Sequence, residues 1–323
     1  MNMSIFRKLI ARTIGFCYNI SSLFAPTWTS KRLYQLFATP PKVNIRPKEE
    51  AFLSHAILDE YTLRDWGGIL YHWGEINRPY VLMSYGWGYN AGRWRHYVPA
   101  LLEAGYRVIA YDPPGHGNAQ KGTLTIPKNA ALLHCIINTF GPPKMVLAHS
   151  FGGGTTIEAL SELPNLYHPE RLVIMAAFSK ASWIFRNFQY ILGLSERTYR
   201  VFTQILEERL GKQLKEFDLA LKSQKLINTA TLIVHDPEDQ VTHYRNANRY
   251  QSYMHNSHLL PANGAGHHLG QAAITQQILA FLITGKLPDS AISQTTTLEA
   301  NHDLVRYFAG IEVDMVDFPV KIP

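Results

Sequence analysis

Between residues 68 and 260 the chain alternates short, nearly unbroken apolar runs with longer stretches of helical period. Few folds accommodate that rhythm. The runs lie at 68–73, 80–85, 106–111, 145–148, 171–176, 230–234 and, most weakly, 257–260, with helical patterns at 94–104 and 128–138 between them. A strand that is apolar at successive positions must be covered on both faces, and parallel neighbours need connections long enough to hold a helix. The expected fold class is therefore α/β, a mostly parallel sheet flanked by helices.

One connection is too long for a simple crossover. Residues 178–228 read as helical throughout and carry Trp183, Phe185, Phe188, Tyr190, Tyr199, Phe202 and Phe217. We read them as a helical cap inserted over the sheet, most of its aromatics forming its own core. The α/β core then comprises 51–177 and 229–286, preceded by a basic amphipathic arm at 1–50 and followed by a tail at 287–323. One short helix is expected in the tail at 303–308.

Charge is unevenly placed. Net charge is +6, and residues 1–50, with eight Lys or Arg and two Glu, account for all of it. No nucleic-acid-binding module accompanies that basic stretch, so nucleic acid is not the expected partner. Phe6, Leu9, Ile10, Ile14, Cys17, Ile20 and Phe24 fall at helical spacing and are interrupted by Arg12, Tyr18 and Asn19, which argues for a helix rather than a signal peptide. Two readings follow: an amphipathic helix packed on the domain with its charges solvated, or peripheral contact with an anionic membrane. No apolar run is long enough to span a bilayer. Cys17 and Cys135 form no framework and no metal-ligand spacing, so a reducing, cytoplasmic location is expected.

Four short motifs carry the chemistry, each at the end of an apolar run. In Ala148-His149-Ser150-Phe151-Gly152-Gly153 a strand gives way to a helix. A serine hydroxyl is a poor nucleophile without an adjacent base, and small residues two before and two after it permit the sharp turn that exposes it. His235-Asp236-Pro237-Glu238-Asp239-Gln240-Val241 offers three acids, of which Asp239 lies deepest in the loop; its alternative role is capping a helix. Gly264-Ala265-Gly266-His267-His268 lets glycines present an imidazole, with His267 and His268 both open at this point. Tyr85-Gly86-Trp87-Gly88 is the fourth: backbone N–H groups of Trp87 and Phe151 suit an oxyanion. The chain order is serine, acid, histidine.

With these residues in place, the sequence resembles the α/β-hydrolase superfamily over roughly residues 65–285, most closely its capped esterase, lipase-like and C–C hydrolase branches. AHSFGGG resembles the nucleophile elbow, HDPEDQV the acid loop, GAGHH the histidine loop, and DPPGHG (112–117) a glycine-containing stretch after a strand. The resemblance implies Ser150 as nucleophile, Asp239 as acid, His267 rather than His268 as base, and Trp87 and Phe151 as oxyanion donors, with no metal or organic cofactor. It implies a serine hydrolase of the carboxylesterase kind, acting on a small-molecule ester or acyl substrate with an apolar group. C–C, thioester or lactone cleavage on the same residues, and a ligand-binding protein without turnover, are the alternatives. Three departures stand out: Ala148 replaces a glycine, Tyr85 replaces the usual histidine of the oxyanion loop, and Asp236 adds a second carboxylate near Asp239.

Overall fold

The computed structural model describes residues 5–63 and 66–293. Helices α1 (Ile5–Phe24), α2 (Pro26–Ala38) and α3 (Pro47–Leu53) precede strands β1 (Ile57–Leu63), β2 (Trp66–Trp73) and β3 (Tyr80–Ser84). Then come α4 (Val98–Glu103), β4 (Arg107–Asp112), α5 (Ile126–Phe140), β5 (Met145–His149), α6 (Phe151–Glu162) and β6 (Arg171–Met175). Helices α7 (Ala181–Leu192), α8 (Glu196–Leu210) and α9 (Leu219–Lys222) lead to β7 (Ala230–His235), α10 (Arg245–Tyr253), β8 (Ser257–Pro261), α11 (Ala272–Thr284) and β9 (Ile292–Ser293).

Among the described residues the strands form one sheet in the order β1-β2-β4-β3-β5-β6-β7-β8-β9. From β4 through β8 all neighbours are parallel, while β1, β2 and β9 pair antiparallel at the two margins. The apolar runs are unbroken because both faces of the sheet are covered. Leu82, Ile109, Val146, Ile174 and Ile233 pack toward α5, α6 and α10, while Val81, Met83, Val108, Leu147, Val173 and Val234 pack toward α4 and α11. Successive side chains serve opposite layers, as the pleat demands. In-register parallel pairing also brings Ser84, Asp112, His149, Met175, His235 and Pro261 to one edge. The loops that follow these residues must meet there.

Three expectations needed adjustment. Strand β1 was not foreseen: its Asp59 and Glu60 and its mostly exposed side chains suit a margin that touches only β2. The helix expected at 94–104 is a 3-10 turn, Ala91–His96, followed by α4, because Pro99 opens a new helix near its start. The insert between β6 and β7 is two long helices and several short turns, broken where Gly193 and Gly211 adopt left-handed conformations.

The amino-terminal helices are not a free arm. Helix α1 packs on α7, and α2 on α8. Phe37 of α2 stacks on Phe185, with ring centroids 4.3 Å apart, and touches Phe188 and Phe202. The aromatics of the insert thus bury among themselves and the arm. The insert closes at its base, where Arg249 makes a two-pronged bond to Asp218 (3.1 and 2.9 Å). In the tail, Ile292–Ser293 adds an antiparallel strand to β8. The short helix expected at 303–308 lies outside the described residues.

Candidate active site

Ser150 stands between β5 and α6 with φ 52° and ψ −119°. A β-carbon is disfavoured there, at a cost of roughly 1–3 kcal/mol. Close packing around the turn holds the conformation. A β-carbon on Gly152 would lie 2.4 Å from the Ser84 carbonyl oxygen, so that position requires glycine. Ala148, by contrast, is fully buried in the sheet and replaces the family glycine without strain. The loop after β3 crosses directly over the serine: a β-carbon on Gly86 would sit 2.9 Å from Ser150 Cβ.

The structure brings together the three residues the motifs suggested. His267 Nε2 lies 3.0 Å from Ser150 Oγ, and His267 Nδ1 lies 2.8 Å from Asp239 Oδ2. An ionised carboxylate only accepts, so Nδ1 carries the proton and Nε2 is left to accept from the serine hydroxyl. The Asp239 side chain is completely buried. It accepts from the Val241 and Thr242 amides at 2.7 and 3.1 Å and from the Thr242 hydroxyl at 2.9 Å. His235 Nε2 is 3.3 Å away. Burial by itself raises the carboxyl pKa, but hydrogen bonds from His235 and His267 outweigh it and hold the group well below the ordinary range.

The competing acids and the second histidine have other places. Asp236 accepts from the Gly266 and Glu238 amides and so ties the acid loop to the histidine loop. Glu238 is exposed. His268 is exposed too, and its carbonyl accepts from Arg93 Nη2 at 2.7 Å.

Trp87 and Phe151 flank the serine, their rings edge-to-face with centroids 5.2 Å apart. The Phe151 amide opens α6, where amides lack intrahelical acceptors and favour negative charge. Among the described residues no cluster of three or more His, Cys, Asp or Glu is placed to hold a metal ion.

Two supporting residues were not assigned roles from the sequence. Asp112, completely buried, accepts from Tyr85 Oη (2.7 Å), Tyr71 Oη (2.8 Å) and the Ala91 and Asn118 amides (2.8 and 2.9 Å). Tyr85 is thus how the loop after β3 is held: its phenol reaches under the loop to a carboxylate at the end of β4. A β-carbon on Gly117 would strike that carboxylate at 1.9 Å, which explains the glycine and was the available signal. His149 Nε2 lies 2.8 Å from the His267 carbonyl and fastens the histidine loop to the elbow. Burial, with the charge of Arg93 and the neighbouring His267, pushes His149 well below the usual histidine range, so it is neutral near pH 7.

Two predictions concern buried groups beneath the loop after β3, Tyr85 and His116, whose ring packs against Tyr85 and Trp87. Tyr85→Phe leaves buried Asp112 short of a donor; chemical denaturation should show a loss of about 1–3 kcal/mol. His116, 3% exposed, has its pKa lowered to about 4 by burial. The unfolded chain protonates this residue near the ordinary histidine value of 6.5 while the folded chain does not. Stability is then lost as pH falls below that value, by up to about 1.4 kcal/mol per pH unit for each such histidine. Denaturation from pH 7 down to pH 5 should show a slope that His116→Gln reduces by about one proton; an unchanged slope would contradict it.

Epoxide hydrolase A of Mycobacterium tuberculosis (strain ATCC 25618 / H37Rv) is 31% identical over 111 residues, 33% of this chain and 33% of that protein. The bifunctional esterase/perhydrolase DCH of Acinetobacter calcoaceticus is 27% identical over 108 residues, 32% of this chain and 39% of that one. The chain therefore spans well under two thirds of these relatives, and their named activities differ from one another. The structure of a Paleococcus ferrophilus monoacylglycerol lipase superposes with a TM-score of 0.54 at 18% identity, covering 71% of this chain and all of the other (100%), a likeness of fold. The family model described as "Alpha/beta hydrolase family" matches residues 80–273, more than half of the 323, and the chain belongs to that family.

Proposed function

We propose that the protein is a serine hydrolase that cleaves a carboxylic ester or related acyl bond. The observation that carries this reading is the hydrogen-bonded chain from Ser150 through His267 to buried Asp239, set at a positive-φ turn. In this mechanism His267 Nε2 takes the hydroxyl proton as Ser150 Oγ attacks the carbonyl carbon. Asp239 stabilises the imidazolium. The amides of Trp87 and Phe151 hold the oxyanion. His267 then passes the proton to the leaving alcohol, an acyl-enzyme remains, and water releases the acid by the same route.

Support for an apolar substrate comes from the half-buried rings of Trp87 and Phe151 beside the serine, with Phe178 stacked on Phe151 at 6.2 Å. The other ring residues of the insert, Phe185, Phe188, Phe202 and Phe217, do not add to it, since they fill the core. We read that insert as the cap that shields the site from water.

The test is hydrolysis of p-nitrophenyl esters of graded acyl length, with mass spectrometry after labelling by a fluorophosphonate. Turnover and a label on Ser150 are the expected results, and the best acyl length measures the pocket. No turnover and no label would remove the ester reading and move the search to C–C and lactone substrates or to ligand binding without turnover.

A further inference from the structure

Helix α1 is apolar on two sides. Its inward side packs Ile14 and Tyr18 against the core and makes its closest contacts through small and polar residues. A β-carbon on Gly15 would lie 1.7 Å from the Leu192 carbonyl oxygen of α7, and Ala11 is 1% exposed. Asn19 donates to the Gly193 carbonyl and accepts from the Ser195 amide, and Ser22 bonds Thr198 at 2.8 Å. These contacts leave the helix one way to seat itself, with positions 6, 9, 13, 16, 20, 23 and 24 outward. That spacing traces a single stripe down the helix.

The outward stripe is apolar along its length. Phe6 is 69% exposed, Phe16 63% and Phe24 83%, with Leu9, Ile20 and Leu23 between them and Trp28 of α2 beyond. Thr13 also lies on the stripe, and its hydroxyl is spent on the Leu9 carbonyl. A contiguous exposed patch of this kind marks an interaction surface. Charge selects the partner: from Ile5 to Ala38 the chain holds five Lys or Arg and no acid. Arg7, Arg12, Lys31 and Arg32 are exposed. A second copy would bring like charges together, whereas anionic lipid headgroups complement them.

We propose that α1 docks the protein on an anionic bilayer surface, lying in the interfacial plane with its apolar stripe among the acyl chains. No helix among the described residues is long and apolar enough to cross a membrane. An apolar stripe with basic flanks is the combination that gives reversible interfacial binding.

Flotation of the full chain with phosphatidylcholine vesicles, with and without phosphatidylglycerol, tests this. Wild type should float with the anionic vesicles and be released by high salt. The combined variant Leu9→Ser, Phe16→Ser, Ile20→Ser should lose binding by about 100-fold or more, with unchanged melting temperature and unchanged turnover of a soluble ester. Lys31→Glu with Arg32→Glu should remove the preference for anionic lipid. Absence of wild-type binding, or equal binding by the triple variant, overturns the proposal. A wild-type dimer that the triple variant makes monomeric assigns the face to self-association instead. A lower melting temperature in that variant assigns it to another segment of this chain.

Discussion

Replacing Ser150 by alanine is expected to lower kcat for ester hydrolysis about a millionfold, the size of loss met when a triad nucleophile is removed. Three features make the effect large. The hydroxyl is the atom that would become acylated, and it lies 3.0 Å from the His267 nitrogen that accepts its proton. Water in its place lacks the positioning that the positive-φ turn imposes on the side chain. Among the described residues the other hydroxyl at His267, that of Thr242, faces Nδ1 and not Nε2, so it does not substitute. The fold should be untouched: alanine keeps the β-carbon and meets the same φ of 52°, and denaturation should agree with wild type to about 0.5 kcal/mol. The measurement is kcat and KM on the best p-nitrophenyl ester. A variant that retains a tenth of the activity would mean Ser150 is not the nucleophile.

Asp239→Asn is expected to cost about 10⁴-fold in kcat with the geometry nearly intact. The Asp239 carboxylate keeps the proton on His267 Nδ1. An asparagine amide facing that nitrogen donates instead, so the proton moves to Nε2, where the base should be accepting. The Val241 and Thr242 amides can still donate to the asparagine oxygen, so the loop should hold its shape. Asp236→Asn provides the contrast: its carboxylate binds the Gly266 and Glu238 amides, not the imidazole, and asparagine's oxygen still accepts from one of them. Its loss should be far smaller. Equal losses in the two variants would break the assignment. Asp239 also has a signature in stability. Its pKa is depressed in the folded chain, so its contribution is present above the ordinary aspartate value of 3.8 and is lost as pH falls below it. The Asn variant should lack that component.

The strands and the chemistry-bearing loops were readable because both depend on short stretches of chain. Seven apolar runs became β2 through β8 within a few residues, since an unbroken apolar run has few places to go except a doubly covered sheet. The serine, acid and histidine loops were recognisable because each needs local turn chemistry, glycine or a small residue, at a strand end. Strand β1 was missed because a margin strand touching one neighbour has no strong apolar pattern to show.

The sequence by itself determined the alternation of strand and helix, the order of the four loops and the place of the long helical insert. All of these follow from local period and local backbone freedom. Tertiary structure decided which acid meets the imidazole, since Asp236, Glu238 and Asp239 share one loop and only packing buries Asp239 against His267. It decided how Tyr85 holds the loop after β3, because Asp112 comes to it from another strand. It also decided which way α1 faces. Periodicity reports that a helix has an apolar side but not that the side is buried, and here the close approach of Gly15 to Leu192 turned it outward.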